Sequence, residues 1–322
     1  NITWRVGCLS PNYFVTAFAR AAPNDFHRVQ QRLPEIHFDL LPFHFGNGIY
    51  ERFHASFAAL HEEPLGGLGP TTRSDRLDAY YSLSKTFTHE DWFSFTPIAG
   101  ARVTHYQRAL GTKDNYTRTL GEFGFDLAIR SSSVSDYQNK TWNINGIRHL
   151  FTPKLAYRYV PSADKGRAYI PSIDRLTFRT YLPPIGLGDT RNIDDLGPTN
   201  VLRLGFDNTW QTRHADYGSR DLLVFNLAAD FRFDRLPGQR TASDIHNFIA
   251  FTPAPWLQFD VYQRVEPQDF TMQEINTSLA IRDGDAWSVR FSSHLLRRQI
   301  EEYIIQTDVR LNEAYEVVAK LH

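Results

Sequence analysis

Hydrophobic and polar residues alternate with a period of two along almost the whole chain. In RHLFTPKLAYRYVP, residues 148–161, one face reads His149, Phe151, Pro153, Leu155, Tyr157 and Tyr159, and the other reads Arg148, Thr152, Lys154, Ala156 and Arg158. Residues 92–106 set Phe93, Phe95, Pro97, Ala99, Ala101 and Val103 against Ser94, Thr96, Ile98, Gly100, Arg102 and Thr104. In 201–213, Leu202, Leu204, Phe206 and Trp210 oppose Arg203, Asp207, Thr209, Gln211 and Arg213; in 222–233, Leu223, Phe225, Leu227, Ala229, Phe231 and Phe233 oppose Asn226, Asp230 and Arg232. Successive side chains of a strand point to opposite faces, so a period of two predicts strands and a period of 3.6 would have predicted helices. The pattern recurs over 13–20, 36–45, 49–60, 76–88, 118–132, 245–251, 256–265, 274–282, 286–296, 303–312 and 314–321. That gives about fifteen strands and no convincing amphipathic helix.

Two architectures fit such a chain. In a soluble sandwich or propeller the apolar face is the core; in a membrane barrel it meets lipid, and the charged face lines a wet lumen. Strand length favours the barrel. Many segments reach the ~10 residues that cross a bilayer at a tilt, whereas strands of soluble proteins are mostly about 5–6 residues long. Trp92, Tyr106, Phe151, Tyr159, Trp210 and Trp256 lie near segment ends, as in the aromatic girdles of membrane interfaces. The expected fold is therefore an all-β, large antiparallel transmembrane β-barrel of the outer-membrane type. With no shift in composition to mark a boundary, it is read as one domain over 1–322.

The triplet Phe-Thr-Pro occurs at 95–97, 151–153 and 251–253. Proline cannot donate to a ladder and is confined to strand starts, edges and bulges, so each triplet is expected to mark a strand entry or a bulge. Turn-rich stretches at 62–75, 160–174 and 182–200 are expected to be loops, long enough to carry function.

Composition removes several classes. A formal net charge of -1 gives no basic excess, so nucleic acid is not an expected partner. No stretch approaches the roughly 18 apolar residues of a membrane helix, and a low mean hydropathy is compatible with a barrel because alternating faces cancel. The single cysteine, Cys8, cannot form an internal disulfide and suggests no metal cluster. The single methionine, Met272, is internal, so the sequence reads as a processed chain or an excerpt.

Catalytic signatures are missing: there is no G-x-S-x-G, P-loop or H-E-x-x-H motif. His105 and His149 have no orienting carboxylate at a recognisable spacing and are read as packing or interface residues. The clusters Gly66-Gly67-Leu68-Gly69 and Gly186-Leu187-Gly188 lack the strand-then-helix context of a dinucleotide site and are read as turns. Asp189, Asp194 and Asp195 are read as a solvated acidic loop, not a cation site. No cofactor and no metal are expected.

Several stretches in order resemble the barrel domain of the LptD family of lipopolysaccharide-assembly proteins, also called organic solvent tolerance proteins. They are QQRLPEIHFDL (30–40), WFSFTPIAGARVTHYQ (92–107) and GIRHLFTPKLAYRYVP (146–161), with a weaker match in 185–213. The third is similar to the family's R-H-x-x-x-P-x-x-x-Y-x-Y strand through Arg148, His149, Pro153, Tyr157 and Tyr159; Pro34 and Pro97 belong to the first two. The resemblance implies a non-enzymatic outer-membrane translocon of Gram-negative bacteria that moves lipopolysaccharide to the outer leaflet. It implies as partners a lipoprotein plug of the LptE type, a periplasmic lipopolysaccharide-bridge protein and outer-membrane lipids. It also implies a periplasmic jellyroll, which is not seen here, and more strands than these, so the barrel is expected to be incomplete; one cysteine cannot supply the family's jellyroll-to-barrel disulfides. Arg102, Arg148, Lys154, Arg158, Arg203 and Arg232 are the expected lumen-facing contacts for phosphorylated sugars, in competition with neutralisation by interleaved carboxylates. A porin-like channel and, behind it, a barrel hydrolase are the alternatives.

Overall fold

A computed structural model describes residues 2–22, 24, 29–64, 66, 70–161, 166–175, 181–214, 218–235 and 238–322. Residues 67–69 of the glycine cluster and parts of the loops at 62–75 and 160–174 lie outside these residues. The described chain is one antiparallel sheet of 18 strands. They are β1 (Ile2–Leu9), β2 (Tyr13–Ala21), β3 (Gln31–His44), β4 (Ile49–Glu62), β5 (Thr72–Lys85), β6 (Phe87–His89), β7 (Phe93–Gln107), β8 (Asn115–Ile129), β9 (Ser131–Asn139), β10 (Ile144–Val160), β11 (Thr199–His214), β12 (Gly218–Arg232), β13 (Ile245–Ala254), β14 (Leu257–Val265), β15 (Met272–Asp283), β16 (Trp287–Leu296), β17 (Ile300–Arg310) and β18 (Glu316–Leu321). Sequence neighbours pair as a meander, except that β5 passes over the three-residue β6 to pair with β7. Only Arg130 separates β8 from β9, and β10 pairs with both.

Two compact units share the chain. The first comprises Asn1–Phe87, Phe95–Asp126 and Tyr157–Val201. Here the alternation sorts residues as lipid would, not as water would. Leu77 is 58% exposed and Phe123 60%, with Phe57, Tyr81, Leu83 and Val103 also exposed, while Arg76, Asp78, Arg102, Arg118 and Glu122 on the opposite face are buried. A sheet in water would bury the first set and expose the second.

The second unit comprises Thr88–Ser94, Leu127–Ala156 and Leu202–His322. Its registers place Phe251 opposite Phe259, Phe259 opposite Leu279, Leu279 opposite Phe291 and Phe291 opposite Ile305, so one face carries an apolar row that stays open to the surroundings. The row on the other face is polar: Arg264 lies opposite Glu274 and His246. Trp92, Trp142, Trp256 and Trp287 stand at its short hairpins, Trp142 stacking on Trp256 with ring centres 6.2 Å apart.

Proline positions follow the pairing. Pro34 lies where β3 carries one extra residue against β4, between the Arg32↔Leu60 and Glu35↔Ala58 pairs. Pro97 lies just beyond the Ser84↔Ile98 pair that ends the β5–β7 ladder. Pro253 meets the expectation of an entry or a bulge, and Pro153 departs from it. Pro153 is mid-strand, just after the Phe151↔Ser131 pair that ends the β9 ladder; Pro253 is at the end of β13, within the register break between Phe251 and Ala254. The missing N–H decides all of these, since each proline sits where a ladder changes partner, bulges or stops.

Candidate functional site

In the first unit, the connection from β10 to β11 folds back along the polar face of β3, β4, β5, β7 and β8. Its described residues, 166–175 and 181–198, are called here the strap. Antiparallel pairing sets the floor beneath it: Asp78 is opposite Thr104 and Arg76 opposite Tyr106, and all four side chains are buried on that face. β8 adds Arg118, Leu120 and Glu122.

Arginines of the strands hold the strap. Arg76 reaches Asp174 at 2.8 Å and Asp194 at 3.0 Å. Asp194 also accepts from the Tyr106 hydroxyl at 3.1 Å and from the backbone N–H groups of Ile173 and Asp174. Arg102 forks onto Asp78, with Nε at 2.9 Å and Nη2 at 2.7 Å, and its Nη1 donates to the Leu187 and Asp189 carbonyls, each at 2.5 Å. Arg118 donates to the carbonyls of Ile193 and Leu196, and Arg32 bridges Glu35 and Asp174. Burial pushes the Asp194 carboxyl above the usual carboxylate range, against the opposing pull of Arg76. The hydrogen bonds that the Arg175 guanidinium donates to Glu62 raise its pKa at the strap's outer part.

Between these charges a peg enters. Leu187 packs with Tyr80, Leu120 and Val160, its N–H donating to Glu122 Oε2 at 2.5 Å while the Tyr80 hydroxyl donates to Oε1 at 2.5 Å. The flanking glycines permit the approach: a Cβ on Gly186 would stand 2.9 Å from Glu122 Oε2, and one on Gly188 3.1 Å from Arg52 Nη1.

These contacts correct two sequence readings. Gly186-Leu187-Gly188 is the turn that was expected, close-packed against the strands. Asp194 is a buried ion-pair partner and not part of a solvated loop; Asp189 and Asp195 pair with Arg191 and Arg167. Arg102, expected as a head-group contact, is 1% exposed and holds Asp78 and the strap instead.

Of the other expected contacts, Lys154 and Arg203 line one cavity of the second unit. Arg158 forks onto Asp126 at 2.8 and 2.9 Å. In the second unit Arg203 forks onto Asp230 at 2.6 and 2.9 Å, Lys154 pairs with Asp207, and Arg232 donates to the Arg240 carbonyl. Arg148 is exposed and makes no ion pair among the described residues. On the apolar face His149 stacks on Trp210, ring centres 4.3 Å apart at 5°, and Tyr157 donates to Asn200 at 3.0 Å while Tyr159 is exposed. Arg76 and Arg118 were missed because, within one strand, an arginine on a polar face reads the same whether it meets water or a buried carboxylate.

The family model LptD, described as LPS transport system D, matches residues 12–319. The chain belongs to the LptD family. No curated protein matches it. Membership joins the inverted faces to a biological setting: the fold is the antiparallel strand architecture of an outer-membrane barrel family, and its role is in the transport and assembly of lipopolysaccharide at the Gram-negative outer membrane. Lipopolysaccharide is the substrate that the LptD family implies, and the family is one of transport and assembly.

Proposed function

We propose that residues 1–322 form a single barrel domain of a translocon that inserts lipopolysaccharide into the outer leaflet through a polar lumen and a lateral opening, without bond chemistry. One observation carries this reading: charged side chains are buried on one strand face while large apolar ones stay exposed on the other. An amphiphile with an anionic sugar head and apolar tails needs both environments at once, the polar face for its head and a path along the apolar face for its tails. Arg148, Lys154, Arg158, Arg203 and Arg232 are the cations proposed for the head groups. A lipoprotein plug of the LptE type and a periplasmic bridge protein are the proposed partners, on the strength of family membership.

The test is depletion of the full-length protein in its native cell, with newly made lipopolysaccharide quantified at the surface. Loss of surface lipopolysaccharide while other outer-membrane proteins still assemble is the expected result; unchanged delivery rejects the reading. A second reading, a porin-like diffusion channel, is favoured by the strap itself, which resembles a constriction loop in folding against the polar face. Steady single-channel conductance to small ions from the intact purified protein would favour that reading.

A further inference from the structure

Within the first unit a cavity of about 530 Å³ opens between the strap and strands β4, β5 and β7. Small-molecule sites occupy roughly 300–1,000 Å³ and combine apolar walls with a few placed polar groups. This cavity has that make-up. Tyr50, Ile98 and Ile185 offer apolar surface, Ser82 and Ser84 offer hydroxyls, and Arg52 stands at the strap's edge.

The charges around it are unequally engaged. Glu122 already accepts from Tyr80 and from the Leu187 N–H, Glu51 accepts from Tyr81, and Asp189 accepts from the backbone and side chain of Arg191. Arg158 is forked onto Asp126. Arg52 differs from all of these: among the described residues it meets no carboxylate, and its one hydrogen bond goes to the Gly188 carbonyl at 3.3 Å. A guanidinium has five N–H donors in a fork that matches phosphate oxygens. Most of that fork is unused, at the rim of a cleft lined by hydroxyls and ring faces.

We propose that this cleft binds a phosphorylated sugar, with Arg52 on the phosphate and Ser82, Ser84 and Tyr50 against the ring. The proposal deepens the translocon reading and rests on it for the source of the sugar, the head of lipopolysaccharide. Hydroxyls suit the ring's own hydroxyls, and an aromatic face suits its C–H surface. Gly186 and Gly188 keep the strap side of the cleft clear, since side chains there would meet Glu122, Tyr80 and Arg52.

The experiment titrates the purified full chain in detergent with glucose 1-phosphate, glucose and inorganic phosphate. Glucose 1-phosphate is expected to bind at least tenfold more tightly than either fragment, Arg52→Gln to lose at least tenfold, and Arg52→Lys to recover part of the loss. Equal binding by wild type and Arg52→Gln, or no binding by wild type, overturns the cleft. Unchanged heat-modifiable mobility of Arg52→Gln excludes misfolding as the cause. In cells, a photocrosslinker placed at position 84 is expected to capture lipopolysaccharide; capture of phospholipid alone would assign the cleft to another phosphate head group and overturn the proposal. Failed sugar binding with intact lipopolysaccharide delivery removes the cleft and leaves the translocon reading standing; failed delivery dependence in the depletion test removes the translocon reading.

Discussion

Arg76 and Asp174 meet at 2.8 Å with both side chains fully shielded from solvent, although 98 residues separate them in sequence. Such a pair is not a large net source of stability, because both charges lose their hydration. Its effect is asymmetric. Removing one partner leaves the other buried and uncompensated, which typically costs about 3–5 kcal/mol. Arg76→Met is therefore expected to release the strap by about that amount, since Asp194 loses its cation and Asp174 keeps only Arg32. Limited trypsin digestion at Arg191, quantified against the wild type, reads the release directly. Equal cleavage rates would show that Arg76 does not hold the strap.

Leu187 fastens the same segment by shape. Truncating a buried leucine typically costs about 2–5 kcal/mol, so Leu187→Ala should raise cleavage at Arg191 in the same assay. Leu187→Met, which nearly conserves volume, should change it much less. A similar response to both would mean that the peg's packing is not what matters.

The apolar face gives a prediction about the surrounding medium. Leu77 lies near the middle of β5 and points away from the polar face. If that face meets lipid, Leu77→Arg costs about 2–4 kcal/mol near the bilayer midplane. Folding and unfolding in urea in the presence of liposomes measures it. A cost near zero would place the face in water.

Arg148 and Lys154 lie on the same strand, one without an ion pair among the described residues and the other paired to Asp207. Replacing both by glutamine should lower lipopolysaccharide delivery more than the amount of protein at the surface. Matching losses in the two measurements would leave these residues a folding role alone.

Removing 183–196 and closing the gap with a short Gly-Ser linker tests the strap as an obstruction. Ion conductance of the purified variant in planar bilayers is expected to rise severalfold over the wild type. An unchanged conductance would mean that the strap does not occupy a conducting path.

Sequence pattern made most of the strands legible, because the period of two survives wherever one face meets an apolar medium and the other a polar one. β1, β6 and β9 were not found. β6 spans three residues, and β9, SSSVSDYQN, has one aliphatic residue to mark a face, so neither offers a pattern to detect. The strap was legible only as a long loop. Its position depends on Arg76, Arg102 and Arg118 from three strands converging on Asp174, Leu187 and Ile193, and no local period encodes a meeting between residues so far apart in the chain. The acidic residues at 189, 194 and 195 gave the opposite impression, since composition alone cannot tell a solvated carboxylate from one facing a buried guanidinium.

The glycines beside Leu187 bear on how this protein could be labelled. Long connections between strands are ordinarily where a tag or reporter can be inserted without harm. The stretch from Gly186 to Gly188 lies in the longest such connection, yet one added carbon there would crowd Glu122 or Arg52. An epitope placed there would have to displace the peg before an antibody could reach it, so surface staining at this position would report a displaced strap and not the native fold.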